Sequence, residues 1–169
     1  MPRSPEAIIR ALKHQPSKVL PRGELFLYQD FLDSYFGCYQ GNYLKQLAAA
    51  GGRLGLSLIG VELNNKGLPE LFHKKNFQDL ASFYAVGCLN GPVSGLIEAV
   101  GFLKAMLSTK NNPSLFSEIA AAWLDEAKKK TKEAKAGGLR AIAIADDLAG
   151  NQGLFFSPVY FQEKIWPIY

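Results

Sequence analysis

Leu56-Ser57-Leu58-Ile59-Gly60-Val61-Glu62-Leu63 is apolar at nearly every position and carries an acid beside its last leucine. A strand with one wet face alternates apolar and polar residues, whereas a parallel strand covered on both faces reads as a near-continuous apolar run. The octapeptide therefore predicts a buried parallel strand. Similar segments recur outward from it. Gly23 to Tyr28 reads as a first buried strand and Phe83 to Leu89 as a third. Leu139 to Ala145, apolar but for Arg140, reads as a fourth that runs straight into Asp146-Asp147.

The stretches between these strands carry helical signals. Ser4 as cap, Pro5 at the first helical position, and Ile8, Ile9 and Leu12 at helical spacing predict a helix from Ser4 to Lys13. An aromatic-rich helical region is expected from about Asp30 to Ala50, interrupted near Gly37 and Gly41, and stopped at Gly51-Gly52 or at Leu54. Asn64 to Asn76 has loop chemistry. Asn90-Gly91-Pro92 turns the chain towards a helix from Ser94 to Leu107. Another, opened by Asn112, runs from Pro113 to about Ala136, where Gly137-Gly138 ends it. A polar loop leads to Ser157-Pro158 and a final helix.

Strands alternating with helices imply right-handed crossovers and a parallel sheet. Four strands fit either an open doubly wound sheet or half of an eight-stranded barrel. No Gly-rich phosphate fingerprint follows the first strand, which disfavours a dinucleotide fold. Acids do end the strands: Glu62 the second, Asp146 and Asp147 the fourth. Functional groups at the carboxyl ends of strands are the barrel pattern, although open sheets use that edge too. The reading is a single α/β domain over residues 1–169, about four β/α units, equivalent to half of a TIM-type barrel.

Composition narrows the function classes. The 169 residues are 48% hydrophobic and 20% charged, as expected of one globular core. No apolar run approaches the ~20 residues of a membrane helix. Charges spread through Met1 to Lys13 leave no signal-peptide core. Cys38 and Cys88 lack metal-ligand spacing and suggest no disulfide framework, so a reducing cytoplasm is expected. Much of the net charge of +4 lies in Lys128, Lys129, Lys130, Lys132 and Lys135 on one helix. That reads as a solvated helix face, not as a nucleic-acid surface.

Two stretches resemble the uroporphyrinogen decarboxylase superfamily, which includes porphyrinogen decarboxylases and methyltransferases that act between corrinoids and thiols such as coenzyme M. One is Ala145-Asp146-Asp147-Leu148-Ala149-Gly150, then Leu154-Phe155-Phe156-Ser157-Pro158-Val159-Tyr160-Phe161 and Trp166-Pro167-Ile168-Tyr169. It is similar to the family's acidic strand end, Ala-Gly turn, Ser-Pro helix start and closing proline. The other is Leu89-Asn90-Gly91-Pro92, similar to the family's Gly-x-Pro turn. The resemblance spans nearly the whole chain but matches only the first half of the family's barrel.

Within the family, the methyltransferase branch is favoured. Decarboxylases hold substrate carboxylates with arginines after the first strand; here Pro21 to Asp30 holds one arginine, Arg22, with acids Glu24 and Asp30 beyond it. Asp147 stands where decarboxylases carry a serine, and Asn151-Gln152-Gly153 lengthens the turn as in the methyltransferases. The resemblance thus implies zinc-dependent methyl transfer between a corrinoid protein and a thiol, with porphyrinogen decarboxylation or a non-catalytic binding module as alternatives. The family's zinc ligands, a histidine and cysteines, lie in its second half, and this chain has no His-x-Cys pair. No cofactor is therefore expected on this chain alone, zinc and a corrinoid being those of a completed enzyme.

Asp146 and Asp147 are the candidate catalytic acids, and Glu98, Glu24, Glu62 and Asn90 the candidate substrate contacts. His14, His73, Cys38 and Cys88 read as solvated or packed residues, and Tyr35, Phe36, Tyr39 and Tyr43 as core or lid aromatics. Expected partners are a missing C-terminal half or a second copy joined through open sheet edges, and a corrinoid protein, with no nucleic acid and no membrane.

Overall fold

A computed structural model describes residues 4–36, 43–63, 76–151 and 153–169. Four strands form one parallel sheet in chain order: β1 (Gly23–Glu24), β2 (Leu58–Glu62), β3 (Tyr84–Asn90) and β4 (Ala141–Ala145). The described residues fall into two compact units, one within Met1–Cys88 and Thr131–Ala143, the other Leu89–Lys130 and Ile144–Tyr169. The interruption near Gly37 and Gly41, the loop up to Lys75, Cys38, Tyr39, His73 and Gln152 lie outside the described residues.

In the first unit the core is built on β2 and β3, paired from Leu58↔Tyr84 to Glu62↔Cys88. Ile59 and Val61 are fully buried. Helix α3 (Tyr43–Leu54) presents Leu44, Leu47 and Ala50, all fully buried, as one apolar stripe. It reaches the sheet at Gly51, where a Cβ would come within 3.0 Å of both the Phe83 ring and Ile59. Helix α2 (Gln29–Phe36) is tied to α3 through Gln46, only 2% exposed. Its amide donates to Asp33 at 2.7 Å and accepts from Gln29 at 2.8 Å. Helix α1 (Pro5–Leu12) starts as anticipated, with Ser4 Oγ accepting the Glu6 N–H at 3.2 Å.

The first strand departs from expectation. Only Gly23 and Glu24 pair with β2, and both are exposed. The chain then leaves the sheet, and the Leu25 carbonyl lies directly over Gly60. The apolar run Leu25-Phe26-Leu27 therefore does not join the sheet; Leu25 is exposed, and Phe26 and Leu27 are half-buried.

In the second unit, helices α4 (Pro92–Val100), α5 (Phe102–Asn111) and the first turns of α6 (Pro113–Gly137) pack with the C-terminal coil around Val93, Leu96, Ala105, Phe116, Ala120 and Ile165. The helix expected from Ser94 to Leu107 is broken at Gly101, whose φ of +83° a side chain rarely adopts. The loop before Ser157 holds a hairpin of β5 (Ala149–Gly150) and β6 (Gly153–Leu154) that has no apolar alternation to betray it. The last helix starts at α7 (Pro158–Tyr160), where Ser157 Oγ accepts the Tyr160 N–H at 3.2 Å. It continues as a π turn over Phe161–Ile165 and a tighter turn over Trp166–Ile168.

Strand β4 stands at the end of the sheet order, and its side chains are half-buried or exposed, Ile144 by 41%. The sequence expectation of a covered strand holds for β2 and β3 and not for β4.

Candidate functional site

Each unit places predicted residues differently. In the first, Glu62 ends β2 beside Tyr43 and Cys88. The Cys88 thiol, 1% exposed, donates to the Leu25 carbonyl at 3.4 Å. Burial pushes that thiol up to about 11, with the charge of Glu62 adding to the shift. Burial likewise pushes the Tyr43 hydroxyl up to about 12. The space enclosed by Tyr43, Glu62 and Leu25 to Tyr28 is too small for a water molecule, so this cluster is packed and not open. Glu24 instead lines a cavity of about 460 Å³ with Arg22, Phe26, Tyr28 and Phe31.

These two protons make alkaline stability a test of the packing. The folded chain keeps them where the unfolded chain, with the Cys88 thiol at its ordinary 9.0 and Tyr43 at 10.0, releases them. The native state then binds more protons than the unfolded one, so stability falls as pH rises from about 9 towards 12. Urea midpoints measured against pH should be level below that window and decline within it. Cys88→Ala should delay the decline to the tyrosine's range.

The second unit holds the more elaborate arrangement. Helix α4 begins at Pro92, and its preceding residue, Gly91, has no side chain to cap it. The first N–H groups of a helix have no partner within it. Asp146, at the end of β4, supplies the missing acceptors. Its carboxylate accepts the Val93 N–H at 2.9 Å, the Ser94 N–H at 2.6 Å and the Ser94 hydroxyl at 2.7 Å. A fourth hydrogen bond comes from the Tyr169 hydroxyl. The negative charge also sits at the positive end of the helix dipole. Glycine is required at position 91, because a Cβ there would overlap the Asp146 carboxyl group. The Gly91 N–H donates to the Ala145 carbonyl at 2.7 Å, which fixes the turn against the strand end.

Around this centre the polar contacts continue. Trp123 Nε1 donates to the Asn90 carbonyl at 2.7 Å, and Asn90 Nδ2 to Glu98 Oε1 at 3.2 Å. The Trp123 and Tyr169 rings lie 6.4 Å apart. Burial and the adjoining Asp146 carboxylate push the Tyr169 hydroxyl upward, so it serves as a donor. Asp147 is exposed and makes no hydrogen bond or ion pair among the described residues.

The structure thus brings Asn90 and Glu98 into contact and separates the roles of the paired acids. Asp146 has its oxygens committed to the fold, while Asp147 is available to a ligand. Ser94, Trp123 and Tyr169 were not foreseen as members. An uncapped helix start at Asn90-Gly91-Pro92 was a signal for the first; nothing marked the other two. Among the described residues no three His, Cys, Asp or Glu side chains are grouped to hold a metal ion. Nor is any of their helices long and apolar enough to cross a membrane. No protein-family model, curated protein or solved structure matches the chain.

Proposed function

We propose that this chain is the N-terminal half of a uroporphyrinogen decarboxylase-like barrel enzyme, acting in methyl transfer between a corrinoid protein and a thiol. The observation that carries this reading is the order of the parallel strands, β1-β2-β3-β4, without reversal. Doubly wound sheets reverse at a switch point, where their ligands bind, whereas barrels wind in one direction. The half-exposed β4 also fits a strand that has a neighbour in the complete barrel. The acid pair at its end fits the family's substrate wall.

The residues described here do not fit the zinc. Cys88 is buried with its thiol pushed up, and His14 is exposed after α1. Metal ligation is therefore assigned to the other half. This chain contributes Asp147 as an exposed hydrogen-bond acceptor for substrate, with Asp146 fixing the strand end from which it projects.

The coding sequence downstream of Tyr169 is the first test, with a His-x-Cys motif and a later cysteine expected. Joined to that half and loaded with zinc, the protein should demethylate methylcobalamin with coenzyme M. Asp147→Ala, which removes the acceptor, should lower that turnover by about tenfold or more. The isolated chain should hold no stoichiometric zinc by elemental analysis. Tetrapyrrole decarboxylation without methyl transfer by the joined protein would overturn the reading.

A further inference from the structure

We infer that β4 is a self-recognition edge, on which a second copy of this chain pairs antiparallel about Ala143. Three observations carry this. The strand ends the sheet order, so one row of its backbone N–H and C=O groups has no neighbouring strand among the described residues. Natural edge strands are usually protected by lysine, proline or a bulge. Ala141–Ala145 contains neither residue, and Ile144 is 41% exposed.

The sequence itself selects the occupant. Ala141-Ile142-Ala143-Ile144-Ala145 reads the same in both directions. Antiparallel pairing centred on Ala143 sets Ile142 opposite Ile144 of the other copy, and Ala141 opposite Ala145. Branched side chains meet each other, and small ones meet small ones.

The flanking charges select the direction. Arg140 is exposed before the strand, and Asp146-Asp147 follow it. The same register sets Arg140 opposite Asp146, with the unpartnered Asp147 next to it, and two-fold symmetry repeats the pairing at the other end. A parallel neighbour would instead align Arg140 with Arg140 and acid with acid. The pairing is isologous, so it closes at two copies and consumes the edge. The opposite edge of the sheet, β1, has only two paired residues and offers little to compete.

This inference does not rest on the chemistry proposed above and concerns residues 1–169 on their own: in the joined barrel the next strand would take the edge of β4, so the joined protein should not pair in this way. Sedimentation equilibrium at micromolar concentration should give twice the chain mass. Ile144→Lys should give a monomer that retains its far-ultraviolet circular dichroism. Arg140→Asp sets acid against acid at both ends of the pairing and should weaken dimerisation by about tenfold or more. In a Cys38→Ser background, Ala143→Cys should oxidise to a covalent dimer, since a residue on the two-fold axis meets its own copy; Ala141→Cys should not. If Ile144→Lys fails to fold, the charge reversal and the cysteine pair decide. A monomeric wild type, open-ended aggregation, or a dimer indifferent to the charge reversal and uncrosslinked by Ala143→Cys would overturn the inference.

Discussion

Gly60→Ala should destabilise the chain by about 3 kcal/mol or more, an effect out of proportion to one methyl group. Overpacking in a core usually costs about 1–3 kcal/mol because neighbouring side chains can shift. At Gly60 the obstructing atom is the backbone carbonyl of Leu25, and its α-carbon and carbonyl carbon lie close behind. That carbonyl also accepts the Cys88 thiol at 3.4 Å, so withdrawal of the segment would leave the buried thiol only the more distant Val86 carbonyl at 3.9 Å. Two other glycines calibrate the result. At Gly87 the atoms nearest to an added Cβ would be the ends of the Leu63, Ile142 and Leu139 side chains, which can shift, and Gly87→Ala should cost less. At Gly95, inside α4, nothing lies within 4 Å, so Gly95→Ala should stabilise by about 0.5–1 kcal/mol through helix propensity. Urea denaturation of the three variants tests the order. A Gly60→Ala protein as stable as Gly87→Ala would remove the Leu25 crossing from the fold.

The same crossing shows where sequence reading stops. β2 and β3 were legible because both their faces are covered, and a strand in that position can be apolar throughout. Leu25-Phe26-Leu27 carries the same composition without the same burial: the chain bends out of the sheet at Leu25, which is exposed, and Phe26 and Leu27 are half-buried. Apolar content alone reports neither burial nor hydrogen-bond partners, as the half-exposed β4 also shows. The break at Gly101 was hidden because Val100 and Phe102 continue the apolar pattern through it. A positive φ leaves no trace when glycine also occurs in helices, as Gly95 does in α4. The acid pair after β4 was legible as a strand-end feature. Its division of labour was not, because it depends on Ser94, 52 residues away in the chain, and Tyr169, 23 residues away.

That division predicts opposite behaviour for adjacent residues. Asp146→Ala should lower stability by about 3 kcal/mol. It leaves the N–H groups of Val93 and Ser94 without an acceptor, as well as the hydroxyls of Ser94 and Tyr169. Loss of a helix cap alone costs roughly 0.5–2 kcal/mol, and an unsatisfied buried donor about 1–3 kcal/mol. The site is part-buried, so water can serve some of these donors and the sum falls short of the separate costs. In a domain of this size the loss corresponds to a fall in Tm of roughly 6–12 °C. Asp146→Asn should cost less, since the amide keeps one acceptor oxygen for the helix start. Asp147→Ala, at an exposed position without partners among the described residues, should stay within about 0.5 kcal/mol of the parent. Tyr169→Phe removes one of the four donors and should fall between the two. Thermal unfolding of the four variants separates the roles without an activity assay. Equal losses at positions 146 and 147 would mean that the carboxylate at the end of β4 does not hold α4 in place.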